Sequence, residues 1–164
     1  MTTKTQLTAT PAAPADPAAT DEMLPSQPIG YWSGVAHRAV IGHIRDAMAR
    51  VDVTQPQWWT LNRVQRAGGP LPRETVLADL AEFAESPHEV PRAVDQLIHR
   101  GWLDSYGNGE LLTVSDTGRE AIERIRELVT GLRAEIHEGI TDEEYVAALR
   151  VLRRMADNVK AAAR

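Results

Sequence analysis

The 164-residue sequence contains no cysteine. That excludes a disulfide framework, a thiolate metal site and a cysteine nucleophile. No apolar run approaches the ~18 residues that a membrane-spanning helix needs. The first residues also lack the basic region and apolar core of a secretory signal. A soluble, cytoplasmic protein with no membrane partner is expected. Positive charge is in short supply: 18 Lys and Arg face 23 Asp and Glu, a net charge of −5. Such a chain does not coat nucleic acid by bulk charge, although arginines placed locally on an acidic body can still read it. No Ser-His-Asp order, phosphate loop or paired-carboxylate arrangement stands out, so neither an enzyme nor a cofactor is expected. The histidines are scattered, and His37 and His43 do not share a helix face, which argues against a metal site.

What is present is enough apolar material, 43% of residues, for one packed domain. Residues 1–26 are rich in Thr, Ala and Pro, show no apolar periodicity, and read as a disordered tail. Residues 28–51 carry a wide apolar helical face that includes Trp32, Val35, Val40, Ile44 and Met48. Gly34 and Gly42 lie inside that helix, where the expected reason is close approach of another backbone. A second helix spans 55–67, with Pro56 in its first turn and Gly68-Gly69-Pro70 as its stop. Its adjacent Trp58 and Trp59 point about 100° apart. One is therefore expected in the core and the other at an edge or lining a cavity. A third helix is expected over 73–85.

Residues 86–103 organise the rest. Ser86, Pro87 and Glu89 have the order of an N-cap, a first helical position and a carboxylate reaching back to the cap. Val90, Val94, Leu97 and Ile98 then recur at helical spacing, with Arg92 and Gln96 on another face, until Gly101 stops the helix. Residues 102–106 and 110–114 flank Gly107-Asn108-Gly109 and read as a hairpin. Two short helices leading into a small hairpin, in an otherwise helical chain, describe a winged helix-turn-helix. After it, residues 115–138 form a helix capped by Ser115, with Ile122, Ile125, Val129, Leu132 and Ile136 in a narrow seam. A last helix opens on the capping box Thr141-Asp142-Glu143-Glu144 and carries Tyr145, Leu149, Leu152, Ala156 and Val159. Two such seams suggest a dimer, although each could also pack within one chain. The expected fold is mainly α with a small β-hairpin wing. A domain over 27–164 would contain a winged helix-turn-helix at 53–118, with dimerisation helices at 28–51 and 119–161.

Particular motifs resemble the MarR family of multiple-antibiotic-resistance regulators. Val53-Thr54-Gln55-Pro56-Gln57-Trp58 is similar to that family's opening of the second helix. Val90-Pro91-Arg92-Ala93-Val94-Asp95-Gln96-Leu97 with Arg100-Gly101-Trp102-Leu103 resembles its recognition helix. Leu112-Thr113-Val114-Ser115-Asp116-Thr117-Gly118 resembles the exit from its wing. The resemblance implies a homodimeric transcriptional regulator that straddles a pseudo-palindromic site on double-stranded DNA. It also implies a response to a small aromatic or phenolic ligand. The hairpin tip, Tyr106 to Glu110, departs from the family pattern in having no Lys or Arg, and Pro91 lies in the first turns of the recognition helix.

Within that frame Arg92 is the leading DNA-binding candidate, since an outward arginine there can reach guanine or phosphate; the alternative is a solvated surface arginine. Ser86, His88 and Gln96 join it, as does Arg73 at the start of the preceding helix and Asn108 at the hairpin tip. Ser86 and Glu89 can equally be only caps. Trp32, Trp58 and Trp59 could line an aromatic-ligand pocket, with His37 and Arg38 as polar contacts; aromatics at helical spacing also serve as core. Across residues 73–100 Arg73, Arg92 and Arg100 face Glu74, Asp79, Glu82, Glu85, Glu89 and Asp95. This acidic balance keeps a second reading open, a winged-helix protein-interaction module without sequence-specific DNA binding.

Overall fold

The structure, a computed structural model, describes residues 15–163. The expected tail lies outside the described residues up to position 14. Its remainder contains a short 3-10 turn, Leu24–Ser26. The chain divides into two units, one ending at Asp46 and one beginning at Ala47. Helix α1, Ile29–Arg50, occupies most of the first and ends in the second. Within the first unit Tyr31 and Trp32 meet edge-on, their ring centroids 5.5 Å apart. Among the described residues no backbone approaches Gly34 or Gly42 of α1. A Cβ on Gly34 would touch only the Arg38 side chain, and one on Gly42 would meet nothing within 4 Å.

The second unit is the winged module and the helices that follow it. Helix α2, Gln55–Ala67, begins at a complete capping box. Thr54 N–H donates to Gln57 Oε1 at 3.0 Å, and Gln57 N–H donates to Thr54 Oγ1 at 3.4 Å. The helix ends at Gly68 in the left-handed conformation. Strand β1, Leu71–Pro72, leads into α3, Arg73–Leu80. The helix expected over 73–85 is shorter: it tightens into a 3-10 turn at Ala81–Phe83, and Ala84 is extended. Helix α4, Glu89–His99, is followed by β2, Leu103–Tyr106, and β3, Leu111–Val114. The sheet is antiparallel in the order β1-β3-β2, with Leu71 opposite Leu112 and Leu103 opposite Val114. The hairpin connection takes positive φ at Gly107, Asn108 and Gly109, the backbone that glycine and asparagine adopt at least cost.

Periodicity fixes what these elements bury. Val53, Leu61 and Val64 from α2 and its lead-in, Val76 and Leu80 from α3, and Val90, Val94 and Leu97 from α4 form one core. Leu103, Leu112 and Val114 of the hairpin close it from one side, and Ile122 and Ile125 of helix α5, Asp116–Ile136, join it. Fully burying a valine or leucine contributes about 1.5–3 kcal/mol. Neither Trp58 nor Trp59 is a core residue in the full sense. Both are partly buried against the cluster, and Trp59 lies 6.3 Å from the Phe83 ring. Both rings therefore sit at the margin of the core rather than one inside it.

Helix α5 starts as expected, with Ser115 Oγ accepting the Gly118 N–H at 3.0 Å. The same hydroxyl donates to Gly101 O at 2.6 Å, and Thr117 donates to that oxygen at 2.7 Å. The start of α5 is thereby tied to the turn between α4 and β2. Helix α6, Asp142–Ala162, opens on the Thr141–Glu144 capping box. The Thr141 backbone N–H and hydroxyl both donate to Glu144, which holds its carboxyl below the ordinary carboxylate pKa. Residues of the two terminal seams differ in outcome. In α5, Ile122, Ile125 and Leu132 are buried, whereas α6 has no buried residue at all.

Gly118 is the closest contact in the module. A Cβ there would lie 2.0 Å from the Trp102 carbonyl oxygen and 2.9 Å from Val114 Cγ1, whereas at Gly131, further along α5, it would meet nothing. Gly118→Ala should therefore destabilise by about 1–3 kcal/mol through overpacking. Gly131→Ala should stabilise by about 0.5–1 kcal/mol by removing a mid-helix glycine. Thermal unfolding of both variants checks this; melting points that move together would contradict it.

Candidate nucleic-acid interface

Helix α4 has two chemically distinct sides. Val90, Ala93, Val94 and Leu97 are buried, while Arg92, Asp95, Gln96 and His99 are exposed. The start of the helix differs from the expected cap. It begins at Glu89 with His88 in the N-cap position, and no side chain caps it. Ser86 cannot serve, because the Glu89 N–H is already taken by the Ser86 backbone oxygen at 3.2 Å. The Glu89 carboxylate instead accepts the Glu85 N–H at 2.8 Å. Pro91 is accommodated without a break. It occupies the third helical position, where its missing N–H would have had no intrahelical acceptor.

The structure brings three of the candidate residues to one place. Ser86, Arg92 and Gln96 line a hollow of about 490 Å³, together with Thr54, Glu85 and Glu89. Arg92 is exposed and makes no ion pair among the described residues. Gln96 is anchored: its Oε1 accepts from Gln57 Nε2 at 2.9 Å. The residue that completes the α2 cap therefore also positions a side chain on α4, and the free amide N–H groups of Gln96 remain for a partner. His88 is exposed beside this hollow in sequence, although it does not line it.

Arg73 and Asn108 share a different hollow, of about 680 Å³, between the start of α3 and the hairpin tip. The Arg73 backbone N–H donates to Glu110 O at 2.8 Å, which fixes the wing against α3. Its guanidinium donates to Asp95 Oδ1 at 2.7 Å. That pair, between side chains 27% and 66% exposed, was not legible in the sequence because the partners are 22 residues apart. It leaves Arg73 less available than Arg92 for an outside anion.

The five candidate ligand residues are divided between the units. Trp32, His37 and Arg38 belong to the first and Trp58 and Trp59 to the second. His37 and Arg38 are exposed, whereas Trp32 Nε1 is buried with no hydrogen-bond partner among the described residues. Among the described residues no group of His, Asp and Glu could hold a metal ion, and no helix is long and apolar enough to cross a membrane.

No protein-family model matches the sequence, and no curated protein does either. Solved structures do. BpsR of Bordetella bronchiseptica, whose DNA binding is regulated by 6-hydroxynicotinic acid, is similar at 21% identity and a TM-score of 0.63, covering 80% of this chain and 96% of its own. A cysteine-to-serine mutant of MarR from Escherichia coli, complexed with operator DNA, is similar at 18% identity and a TM-score of 0.63, covering 83% and 99%. A MarR-family transcriptional regulator from Rhodococcus sp. RHA1 is similar at 18% identity and a TM-score of 0.59, covering 82% and 91%. The described chain thus has the fold of the MarR-family winged helix-turn-helix regulators.

Proposed function

We propose that this chain is a cytoplasmic transcriptional regulator, not an enzyme, that binds a pseudo-palindromic DNA site as a homodimer and releases it on binding a small aromatic ligand. The observation that carries this reading is the two-sided α4. Its apolar side is spent on the core, and its outward side offers an unpaired Arg92 and an anchored Gln96. Arginine is suited to bidentate contact with guanine O6 and N7, and glutamine to adenine. Ser86, His88, Arg73 and Asn108 would contribute backbone or sugar contacts around that centre. The operator-DNA complex of the similar MarR protein and the regulation of BpsR by 6-hydroxynicotinic acid support the same direction.

A gel-shift assay with the chain's own upstream DNA at low salt tests the proposal, and the expected result is a sequence-specific shift. Arg92→Ala should weaken specific binding by about 1–3 kcal/mol. An unchanged affinity would remove Arg92 from the interface, and no specific shift at all would sink the DNA-reading claim. The excess of carboxylates over arginines across residues 73–100, together with the capture of Arg73 by Asp95, favours the protein-interaction module as the second reading. Sedimentation with DNA and with candidate protein partners separates the two.

Homodimerisation rests on α6. Val146, Leu149, Leu152 and Met155 are 39–43% exposed and Val159 is 70% exposed in the single chain. An apolar helix face of this length is not stable in water and is expected to be covered by a second copy. Sedimentation equilibrium should give a dimer, and Leu149→Glu with Leu152→Glu should give a folded monomer. A dimer that survives both substitutions would place the interface elsewhere.

Ligand response is proposed from the partly buried Trp58 and Trp59 of the second unit and, separately, from Trp32 of the first, whose Nε1 has no hydrogen-bond partner among the described residues. His37 and Arg38, in the first unit with Trp32, would supply polar contacts there. Titration with 6-hydroxynicotinic acid and with salicylate should quench tryptophan fluorescence and release DNA in the gel shift. Flat titrations count against the ligand arm alone.

A further inference from the structure

Gln96 stands on the outer side of α4, one turn after Arg92, and its amide is not free to turn over. The two ends of a glutamine amide differ: the oxygen only accepts hydrogen bonds and the nitrogen only donates them. Which end faces outward depends on what holds the other. Here the order begins at a backbone group that can only donate. The Thr54 N–H donates to Gln57 Oε1 at 3.0 Å. Gln57 Nε2 is thereby turned towards α4, where it donates to Gln96 Oε1 at 2.9 Å. Gln96 is left with its nitrogen outward, and its two N–H groups have no partner among the described residues.

Neither amide can reverse at small cost. A reversed Gln96 would set its nitrogen against the Gln57 nitrogen, donor against donor. A reversed Gln57 would do the same at the Thr54 N–H. Gln57 is only 5% exposed, so water does not replace the lost bond. A glutamine with both ends free pairs with adenine by donating to N7 and accepting from the N6 amino group. With its oxygen turned inward to Gln57, Gln96 has only donors to offer a base edge. The acceptors it can meet in the major groove include guanine O6 and thymine O4; adenine N6 and cytosine N4, at the corresponding places, are donors.

We infer that Gln57 determines base specificity without touching DNA, by holding Gln96 with its donors outward; this role rests on the DNA-reading function proposed above. Gln96 then selects guanine over adenine, or thymine over cytosine, on the strand it faces. Arg92, which also only donates, stands about 6 Å away along the helix, the height of roughly two base pairs. The two residues together select a short run of acceptor edges.

The test is selection of binding sites by the full chain from a random double-stranded DNA library. The base pair read by Gln96 is the one whose preference is lost in Gln96→Ala. At that pair the unaltered chain should favour the acceptor-bearing base about tenfold. Gln57→Glu keeps the α2 cap, since a carboxylate at that position also accepts the Thr54 N–H. It has no donor, so it accepts from Gln96 Nε2 and turns the Gln96 oxygen outward. The preference at that one pair should invert, guanine to adenine or thymine to cytosine, with the rest of the site unchanged. Gln57→Met, of similar size and without either polar group, releases the Gln96 amide and should make the two bases nearly equivalent. A bond that served only to tie α2 to α4 would alter stability and leave the base preference in place. Thermal unfolding shows which variants fold, and Gln57→Met decides if Gln57→Glu does not. A preference that keeps its direction and size in the folded variants, or a site with no Gln96-dependent pair, overturns the role of Gln57 and leaves DNA reading intact. No enriched sequence with the unaltered chain overturns both.

Discussion

The direction in which the outer side of α4 faces depends on the burial of its inner side. Val94 and Leu97 are fully buried, and Val90 and Ala93 nearly so. These side chains meet α2, α3 and the hairpin in one core, so α4 cannot rotate about its axis without exposing them. A rotation of even one residue, about 100°, would bring an exposed polar group such as Asp95 inward at a cost of several kcal/mol. The outward direction of Arg92 and Gln96 is thus set by apolar residues that never touch a partner.

Polar contacts refine what burial fixes. Gln57 serves twice, closing the α2 capping box and holding Gln96 on α4. Ser115 also serves twice, capping α5 and donating to Gly101 O behind α4. Arg100 ties the same region to the α1–α2 turn through Asp52. The start of α4 has no side-chain cap, and its end is held from several directions. The end of α4 is therefore tied both to α5 and to the α1–α2 turn.

Charge shapes the interface differently. Residues 73–100 hold three arginines, and one of them, Arg73, is paired with Asp95. The hairpin tip brings Asn108 near Arg73 and no basic side chain of its own. DNA binding on such a surface would rely on a small number of well-placed contacts more than on neutralising many phosphates.

Much of this was written in the chain. Helical spacing gave α2, α4, α5 and α6 to within a few residues, because apolar residues at three and four positions apart face one side wherever the helix is placed. Thr54, Ser115 and Thr141 marked helix starts, since a cap acts on N–H groups only two or three residues away. Gly107-Asn108-Gly109 marked the hairpin for the same local reason. What the tertiary structure decided was every feature whose partners are distant in sequence or compete locally. Strand β1 is only two residues long and exists because β3 offers it an edge. Ser86 has the sequence of a cap, yet its carbonyl oxygen takes the N–H that its hydroxyl would have accepted. The pairing of Arg73 with Asp95 and that of Gln57 with Gln96 each required helices to meet. The sequence alone determined which residues could turn inward on each helix; the packing of those helices decided which outward residues stand together.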